Sequence, residues 1–151
     1  MSEPCPLCTR VRLIRAGEYP YLVAELPACY VMLGEFQAWR GYTVLVAKAC
    51  VAELHQLPPE ERRQFLADLT LSAEAVWNAF RPRKLNYEIL GNLVPHLHAH
   101  VFPRHTDDPD PTRPVWFRFN EAVADDRYRL AGGELERMKY ALAREIRRLQ
   151  T

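Results

Sequence analysis

The chain has 151 residues, of which 48% are hydrophobic and 26% are charged, and its formal net charge is +1. This length fits one domain with enough apolar side chains for a hydrophobic core. A net charge near zero gives no bulk attraction to nucleic acid or to a membrane surface, and no segment is apolar for long enough to cross a bilayer. We therefore expect neither a nucleic-acid partner nor a membrane partner.

The N-terminal segment 1–5 lacks the basic and apolar regions of a secretory signal peptide. The sequence therefore predicts a cytoplasmic protein. In that compartment the four cysteines are expected to be free thiols or metal ligands rather than disulfides.

The first half of the chain predicts strands followed by a long helix. Short apolar segments bounded by glycine and proline predict strands at 11–15, 21–26, 30–33 and 42–47. A helix is predicted from Pro58 onward, because proline and acidic residues favour a first turn. Its apolar residues then recur at the spacing of one helix face.

The second half predicts further strands and a final helix. Residues 85–90 predict a strand, and 107–114 predict a loop because proline and aspartate are frequent there. The aromatic segment 116–119 is predicted to be a loop that packs on the domain, although stacking on a nucleotide base is an alternative. The last helix has apolar residues at helical spacing: Leu135, Met138, Leu142, Ile146 and Leu149. This order of elements predicts an α+β fold with a mainly antiparallel sheet.

Three histidines stand at every second position: His96, His98 and His100. The residues between them are apolar, which is the alternation of a half-buried strand. Side chains two apart on a strand point to the same face, so the three imidazoles are expected together. Such a face suits nucleophilic or acid–base catalysis, and it also suits a catalytic zinc ion with an open coordination position. The spacing alone leaves both open.

The segment 96–102 resembles the motif His-φ-His-φ-His-φ-φ, where φ is apolar, of the histidine triad (HIT) family of nucleotide hydrolases and transferases. All seven positions match. The segment 41–48 is similar to the family's glycine–histidine strand that ends in lysine. Gly91 and Asn92 stand where many members have Gly-Gln.

Two further features are typical of bacterial members of the family. Pro103 and Arg104 continue the histidine motif, and Cys5 and Cys8 form an N-terminal C-x-x-C pair. The resemblance covers roughly residues 5–105.

The resemblance implies a HIT-like fold with a mainly antiparallel five-stranded sheet, one long helix and a C-terminal helix. A HIT domain is expected over 1–105. Residues 106–151 are expected to form a C-terminal extension, a loop plus an amphipathic helix, packed on the same domain. Members of the family usually pair as homodimers, so we expect a homodimer.

The resemblance also implies a reaction at the α-phosphate of a nucleotide. The middle histidine attacks phosphorus in the family, which assigns the nucleophile to His98, and water then hydrolyses the nucleotidyl-histidine. His100 is expected to donate a hydrogen bond to the phosphate, and His96 to contact the substrate. Asn92 is a candidate for orienting the leaving group or the water, or it is simply a turn residue after Gly91.

Two departures from the family pattern concern the nucleoside. Relatives hold the ribose with an acidic or asparagine side chain about eight positions before the histidine of the glycine–histidine strand. That position is Gly34 here, and the next residue, Glu35, is the candidate ribose ligand. Tyr42 replaces the usual histidine after Gly41.

A structural zinc ion is expected at the N-terminus. Cys5 and Cys8 have the spacing of a zinc knuckle, and a tetrahedral site needs two more ligands. In zinc-binding relatives these are a residue after the lysine-ending strand and the first histidine of the triad, which correspond here to Cys50 and His96. The alternative is that the cysteines are ordinary thiols. Cys29 has no place in this set and is expected to be a buried apolar residue.

The sequence therefore predicts a nucleotide hydrolase. We expect a dinucleoside polyphosphate hydrolase, by analogy with bacterial sequences that share Gly91-Asn92 and Pro103-Arg104. The alternatives are a nucleoside phosphoramidase, a nucleotidyl transferase or phosphorylase, a nucleotide-binding protein without turnover, and a zinc hydrolase.

Overall fold

A computed structural model describes residues 5–151, so residues 1–4, most of the segment from which the lack of a signal peptide is predicted, lie outside the described residues. Five strands form one sheet in the order β1-β2-β3-β5-β4, and each neighbouring pair is antiparallel. The strands are β1 (Leu22–Glu25), β2 (Cys29–Leu33), β3 (Thr43–Ala47), β4 (Lys84–Glu88) and β5 (His98–Arg104). The predicted α+β fold with a five-stranded antiparallel sheet is confirmed.

The described chain also has four α-helices: α1 (Pro6–Arg15), α2 (Pro59–Phe80), α3 (Trp116–Ala124) and α4 (Gly132–Leu149). Within residues 5–151, no helix combines the length and the apolar character that a bilayer crossing requires.

The sequence of the long helix α2 explains where the helix begins and ends. Pro59 occupies the first turn, and Glu60 and Glu61 complement the positive end of the helix dipole. Arg81 ends the helix in the left-handed conformation with φ of 53°, and Pro82 follows and cannot continue it.

Two sequence predictions of local structure are wrong. Residues 11–15 are part of helix α1 and not a strand, because Leu7, Val11 and Ile14 line one helix face and are buried together. The aromatic segment 116–119 is not a loop but the start of α3. Trp116 and Phe119 lie one turn apart there, with ring centroids 4.6 Å apart.

The sheet is covered on both faces. Helices α2 and α4 pack on one face, against residues such as Leu45, Ala99 and Val101. Helices α1 and α3 pack on the other, where Met32, Val44, Val46, Tyr42 and Phe102 are buried. His98 and His100 alternate with Ala99 and Val101, so both imidazoles belong to the face that α1 and α3 cover. The predicted division of the chain at residue 105 stays a prediction.

Gly41 brings strand β3 close to the end of α2. Its φ is +94°, and a Cβ atom there would lie 2.5 Å from the Phe80 ring. Only glycine combines this backbone conformation with this close approach. The turn places Tyr42 at the edge of the face that carries the histidines.

Arg104 anchors the loop that leads to α3. Its guanidinium is buried and donates hydrogen bonds to Asp108 Oδ2 at 2.5 Å, to Asn86 Oδ1 at 2.9 Å and to the Arg113 carbonyl at 2.8 Å. These bonds tie the predicted loop to β4 and β5. As a result α3 is held beside the histidines.

Candidate functional site

Strand β5, which lies between β3 and β4, presents His98 and His100 side by side. In its register with β3, His98 pairs with Val46 and His100 with Val44. The two imidazole rings have centroids 4.8 Å apart and meet nearly edge to face. His98 is 9% exposed and lines the cavity beside it.

The backbone fixes the tautomer of His98. Its Nδ1 lies 2.6 Å from the carbonyl oxygen of His96. A carbonyl oxygen only accepts, so Nδ1 carries the proton and donates it in this bond. Nε2 of neutral His98 is therefore left with its lone pair, which is the form of imidazole that acts as a nucleophile or base.

His100 contacts the phenol of Tyr42 and the ring of Trp116. Its Nδ1 lies 2.8 Å from the hydroxyl oxygen of Tyr42, and its ring meets Trp116 edge to face at 5.4 Å. Burial, and then the neighbouring charge of His98, lowers the pKa of His100 from 6.5 to about 4. His100 is therefore uncharged at neutral pH.

A cavity of about 380 Å³ adjoins the two histidines. Within the described chain its walls come from the β4–β5 loop, from β5 and from α3. The lining residues are Leu90, Gly91, Asn92, Leu93, Val94, His98, His100, Trp116 and Phe119. None of these is an aspartate, glutamate, lysine or arginine, so the cavity is largely apolar around a few polar groups.

The structure brings Asn92 to the cavity with His98 and His100, and it does not bring Glu35 there. Glu35 accepts a hydrogen bond from Arg10 at 3.1 Å and lines a second, smaller cavity of about 150 Å³. Phe119 lines both cavities and separates them.

The Tyr42 ring leaves no room for a side chain at position 34. This explains why glycine stands where relatives have a ribose ligand. A Cβ atom on Gly34 would lie 2.2 Å from Cδ1 of Tyr42. The Tyr42 ring stacks on Phe102 with centroids 4.1 Å apart, so it cannot move aside easily. The two departures from the family pattern are therefore linked by packing.

The four predicted metal ligands converge. The Sγ atoms of Cys5, Cys8 and Cys50 and a ring nitrogen of His96 all lie within 4.8 Å of one another. Nδ1 of His96 is 3.6 Å from Cys5 Sγ and 3.4 Å from Cys8 Sγ, and the Cys8 and Cys50 sulfurs are 3.0 Å apart. Contact with Cys50, and then burial, raises the pKa of the Cys8 thiol to about 12.

His96 faces this thiol cluster rather than the cavity. Its ring is 1% exposed, and Nε2 lies 2.9 Å from the Ala47 carbonyl oxygen, to which it donates. Nδ1 therefore presents a lone pair to the thiols, as a metal-ligating histidine does when its other nitrogen is held by a carbonyl. Cys29 lies apart from the cluster, buried beside Asp68.

Sequence reasoning missed the contact of Tyr42 with His100 and the helical conformation of the Trp116 segment. Tyr42 was noted only as a departure, although it shares the alternation of Val44 and Val46, which pair with the histidines. That parity would have placed it on the histidine face. Trp116 was expected on a loop, and the i, i+3 spacing of Trp116 and Phe119 was the signal of a helix.

An open antiparallel sheet in which an inner strand presents alternate histidines to a cavity defines the class of histidine triad proteins. Residues 18–107, more than half of the chain, match the model of the HIT domain family. The chain belongs to the HIT family, whose members generally hydrolyse or transfer nucleotides.

Solved structures agree with this assignment. The chain is similar to a histidine triad protein from Marinobacter aquaeolei VT8, with 26% identity over 85% of this chain and 89% of that one and a TM-score of 0.73. A histidine triad protein from Bradyrhizobium japonicum has 28% identity, coverage of 83% and 89%, and a TM-score of 0.70. A Zn-bound histidine triad family protein from Mycobacterium smegmatis shares the fold, with 22% identity, coverage of 97% and 95%, and a TM-score of 0.67.

Proposed function

We propose that this protein is a hydrolase that cleaves nucleotides at the α-phosphate through a covalent nucleotidyl-His98. The observation that carries this proposal is the hydrogen bond from His98 Nδ1 to the His96 carbonyl. It leaves Nε2 with a lone pair on a histidine that lines a cavity large enough for part of a nucleotide. Membership of a family that handles nucleotides supports the choice of substrate.

The reaction divides into two displacements at phosphorus. In the first, the lone pair of His98 Nε2 forms a bond to the α-phosphorus, and the bond to the leaving group breaks with its electron pair, while the leaving group takes up a proton from water. In the second, the oxygen of a water molecule bonds to phosphorus and gives up a proton to the solvent, and the Nε2–P bond breaks with its electron pair returning to Nε2, which releases a nucleoside monophosphate. His98 Nδ1 keeps its hydrogen bond to the His96 carbonyl throughout, which stabilises the positive charge that the ring gains when it is phosphorylated.

Other residues of the site take supporting roles in this proposal. His100, which is neutral, donates a hydrogen bond to a phosphate oxygen. Asn92 offers both an amide donor and a carbonyl acceptor at the rim of the same cavity, so it suits orientation of the leaving group or the water. Glu35 remains a candidate ribose contact from the second cavity, where it would share its carboxylate with Arg10.

The thiol cluster is proposed to hold a structural zinc ion. Cys5, Cys8, Cys50 and His96 fit this ion because three sulfurs and one imidazole nitrogen are a recognised zinc ligand set. When bound, the ion would neutralise thiolates and brace the segment before β5. Four protein ligands leave no position for water, so the ion has no part in the reaction steps. The zinc-bound relative from Mycobacterium smegmatis supports this assignment.

The identity of the leaving group separates two candidate activities. A dinucleoside polyphosphate would release a chain of charged phosphates, whereas a nucleoside phosphoramidate would release an amine. No lysine or arginine lines the cavity in the described chain. Trp116, which lines it, donates a hydrogen bond from Nε1 to the carboxylate of Glu88. Burying several negative charges without a cation is costly. The cavity therefore favours the uncharged leaving group, and we propose nucleoside phosphoramidase activity as the stronger candidate.

A homodimer remains part of the proposal. Strand β4 ends the sheet on one side, and its outer edge has no partner strand within residues 5–151. Tyr87 on this strand is 53% exposed. An open edge with an exposed aromatic residue favours pairing with another protomer.

The substitution His98→Asn tests the proposed nucleophile. We expect turnover of adenosine phosphoramidate to fall by about a thousandfold or more, because removing a nucleophile has an effect on that scale. His55→Asn is the matched control, since His55 is exposed on a short 3-10 helix away from the cavity. If His98→Asn folds normally and retains the activity of the control on both substrate classes, the covalent mechanism is wrong.

A further inference from the structure

We propose that Tyr42 is a positioning residue that fixes His100 as the tautomer with its proton on Nε2, so that His100 donates into the cavity. The part of this proposal that concerns turnover rests on the proposed function. The tautomer itself does not, because it is a property of the folded protein before any substrate binds.

The geometry favours one arrangement of the protons on the Tyr42 hydroxyl and the His100 ring. The Tyr42 hydroxyl oxygen and His100 Nδ1 are 2.8 Å apart, so one of them donates to the other. Tyr42 is 6% exposed, and its hydroxyl has no other hydrogen-bond partner among residues 5–151. If Nδ1 were the donor, the buried hydroxyl proton would have no acceptor, at a cost of about 1–3 kcal/mol. The hydroxyl is therefore the donor.

The protonation states of both groups are compatible with this arrangement. Burial raises the pKa of the Tyr42 phenol, so it keeps its proton at neutral pH. His100 is neutral and holds one ring proton. Because Nδ1 accepts from Tyr42, that proton is on Nε2.

The surroundings hold the Tyr42 ring in one place. It stacks on Phe102 with an interplanar angle of 5°, and it occupies the space that a Cβ atom on Gly34 would need. The His100 ring continues the stack, 5.7 Å from Phe102 at 14°. Tyrosine at position 42 therefore requires glycine at position 34, and the phenol reaches His100 at a fixed distance.

The consequence for the reaction is an electrostatic one. A tautomer with its proton on Nδ1 would turn a lone pair toward the phosphate, which is repulsive. The tautomer set by Tyr42 offers an N–H group, which stabilises the charge that develops on a phosphate oxygen in the transition state. A phenylalanine at position 42 would keep the ring packing, but it has no hydroxyl to select the tautomer of His100.

Tyr42→Phe is the variant that tests the proposal, with Tyr30→Phe as the matched control. Tyr30 is also buried on the same face of the sheet, and its hydroxyl accepts a hydrogen bond from Arg15 at 3.2 Å, away from the cavity. Nitrogen NMR of labelled protein without nucleotide distinguishes a protonated from an unprotonated Nδ1 in His100. A parallel assay with adenosine phosphoramidate measures kcat and KM.

In the wild type and in Tyr30→Phe we expect an unprotonated Nδ1 and a protonated Nε2. In Tyr42→Phe we expect a mixture of tautomers and a kcat about tenfold lower, with KM nearly unchanged, because the lost interaction acts in the transition state. A protonated Nδ1 in the wild type overturns the proposal without any variant. An unchanged tautomer in Tyr42→Phe, or a changed tautomer with unchanged kcat, overturns it as well. If no protein shows turnover, the NMR result still decides the tautomer, while the proposed function fails separately.

Discussion

The carbonyl oxygen of His96 accepts a hydrogen bond from Nδ1 of His98 at 2.6 Å, while the His96 ring faces the thiols of Cys5 and Cys8. One residue therefore joins the thiol cluster to the proposed nucleophile. Through this link a metal ion that fixes His96 would also fix the acceptor that selects the tautomer of His98.

The first prediction concerns metal content. Protein purified without added metal should contain about one zinc ion per chain, as expected for a closed site with three cysteines and one histidine. Cys50→Ser should lower the zinc content and reduce stability by about 2 kcal/mol, which corresponds to about 4–8 °C in melting temperature. Elemental analysis and thermal unfolding measure both.

The control for this prediction is Cys29→Ala. Cys29 is buried beside Asp68 and is not part of the cluster, so the variant should keep its zinc even if its stability changes. Equal zinc content in Cys50→Ser and Cys29→Ala would remove Cys50 from the ligand set.

A second prediction is that His100 makes the fold less stable in mild acid. Its pKa is about 4 in the folded protein and near 6.5 when exposed. Between these values the unfolded chain binds more protons than the folded one, so the free energy of unfolding falls as the pH is lowered. The contribution of His100 is at most about 3 kcal/mol and is lost between about pH 6.5 and pH 4.

Urea unfolding at several pH values in this window measures the effect. The wild type and His55→Asn should lose stability with the same slope, and His100→Asn should lose it with a shallower slope. Parallel slopes in all three proteins would mean that His100 titrates normally in the folded state.

The third prediction is that Trp116 favours substrates whose leaving group is an aromatic amine. Trp116→Ala should reduce kcat/KM about tenfold for an adenosine phosphoramidate with an aromatic amine, because stacking on the cavity wall is lost. The phosphoramidate of ammonia should be much less affected, since its leaving group is too small to reach the wall. Phe117→Ala is the control, because Phe117 is 67% exposed and does not line the cavity.

The same assays compare diadenosine tetraphosphate with the aromatic phosphoramidate. The wild type should prefer the phosphoramidate, because among residues 5–151 no lysine or arginine lines the cavity to meet a polyphosphate. A preference for diadenosine tetraphosphate by tenfold or more would favour the dinucleoside polyphosphate hydrolase instead.

Much of the fold could be predicted from local patterns. The alternation of His98 and His100 with apolar residues specified β5, and the spacing of Leu142 and Ile146 specified α4. Residues 11–15 of helix α1 are predicted as a strand because they form a short apolar segment before Gly17, and their burial as a helix depends on the sheet. Local sequence does not encode that tertiary contact.

The site could be predicted only in part. Convergence of Cys50 with Cys5 and Cys8 came from family resemblance, because ligands far apart in sequence meet only through the fold. The contact of Tyr42 with His100 joins residues 58 positions apart, and the helical conformation of the Trp116 segment brings an aromatic ring to the cavity. Local patterns indicate the face of Tyr42 and the helical spacing of Trp116 and Phe119, but the contacts that these residues make with His100 depend on packing between elements.

The central claim is the covalent bond between His98 and the nucleotide, and trapping this species tests it most directly. Enzyme is mixed with an adenosine phosphoramidate, quenched within the first turnover and digested for mass spectrometry. We expect an added adenylyl mass on the peptide that contains His98, fragmentation that assigns it to that residue, and no adduct in His98→Asn. Turnover at full rate without any adduct, accompanied by inversion at phosphorus, would show direct attack by water and contradict the account.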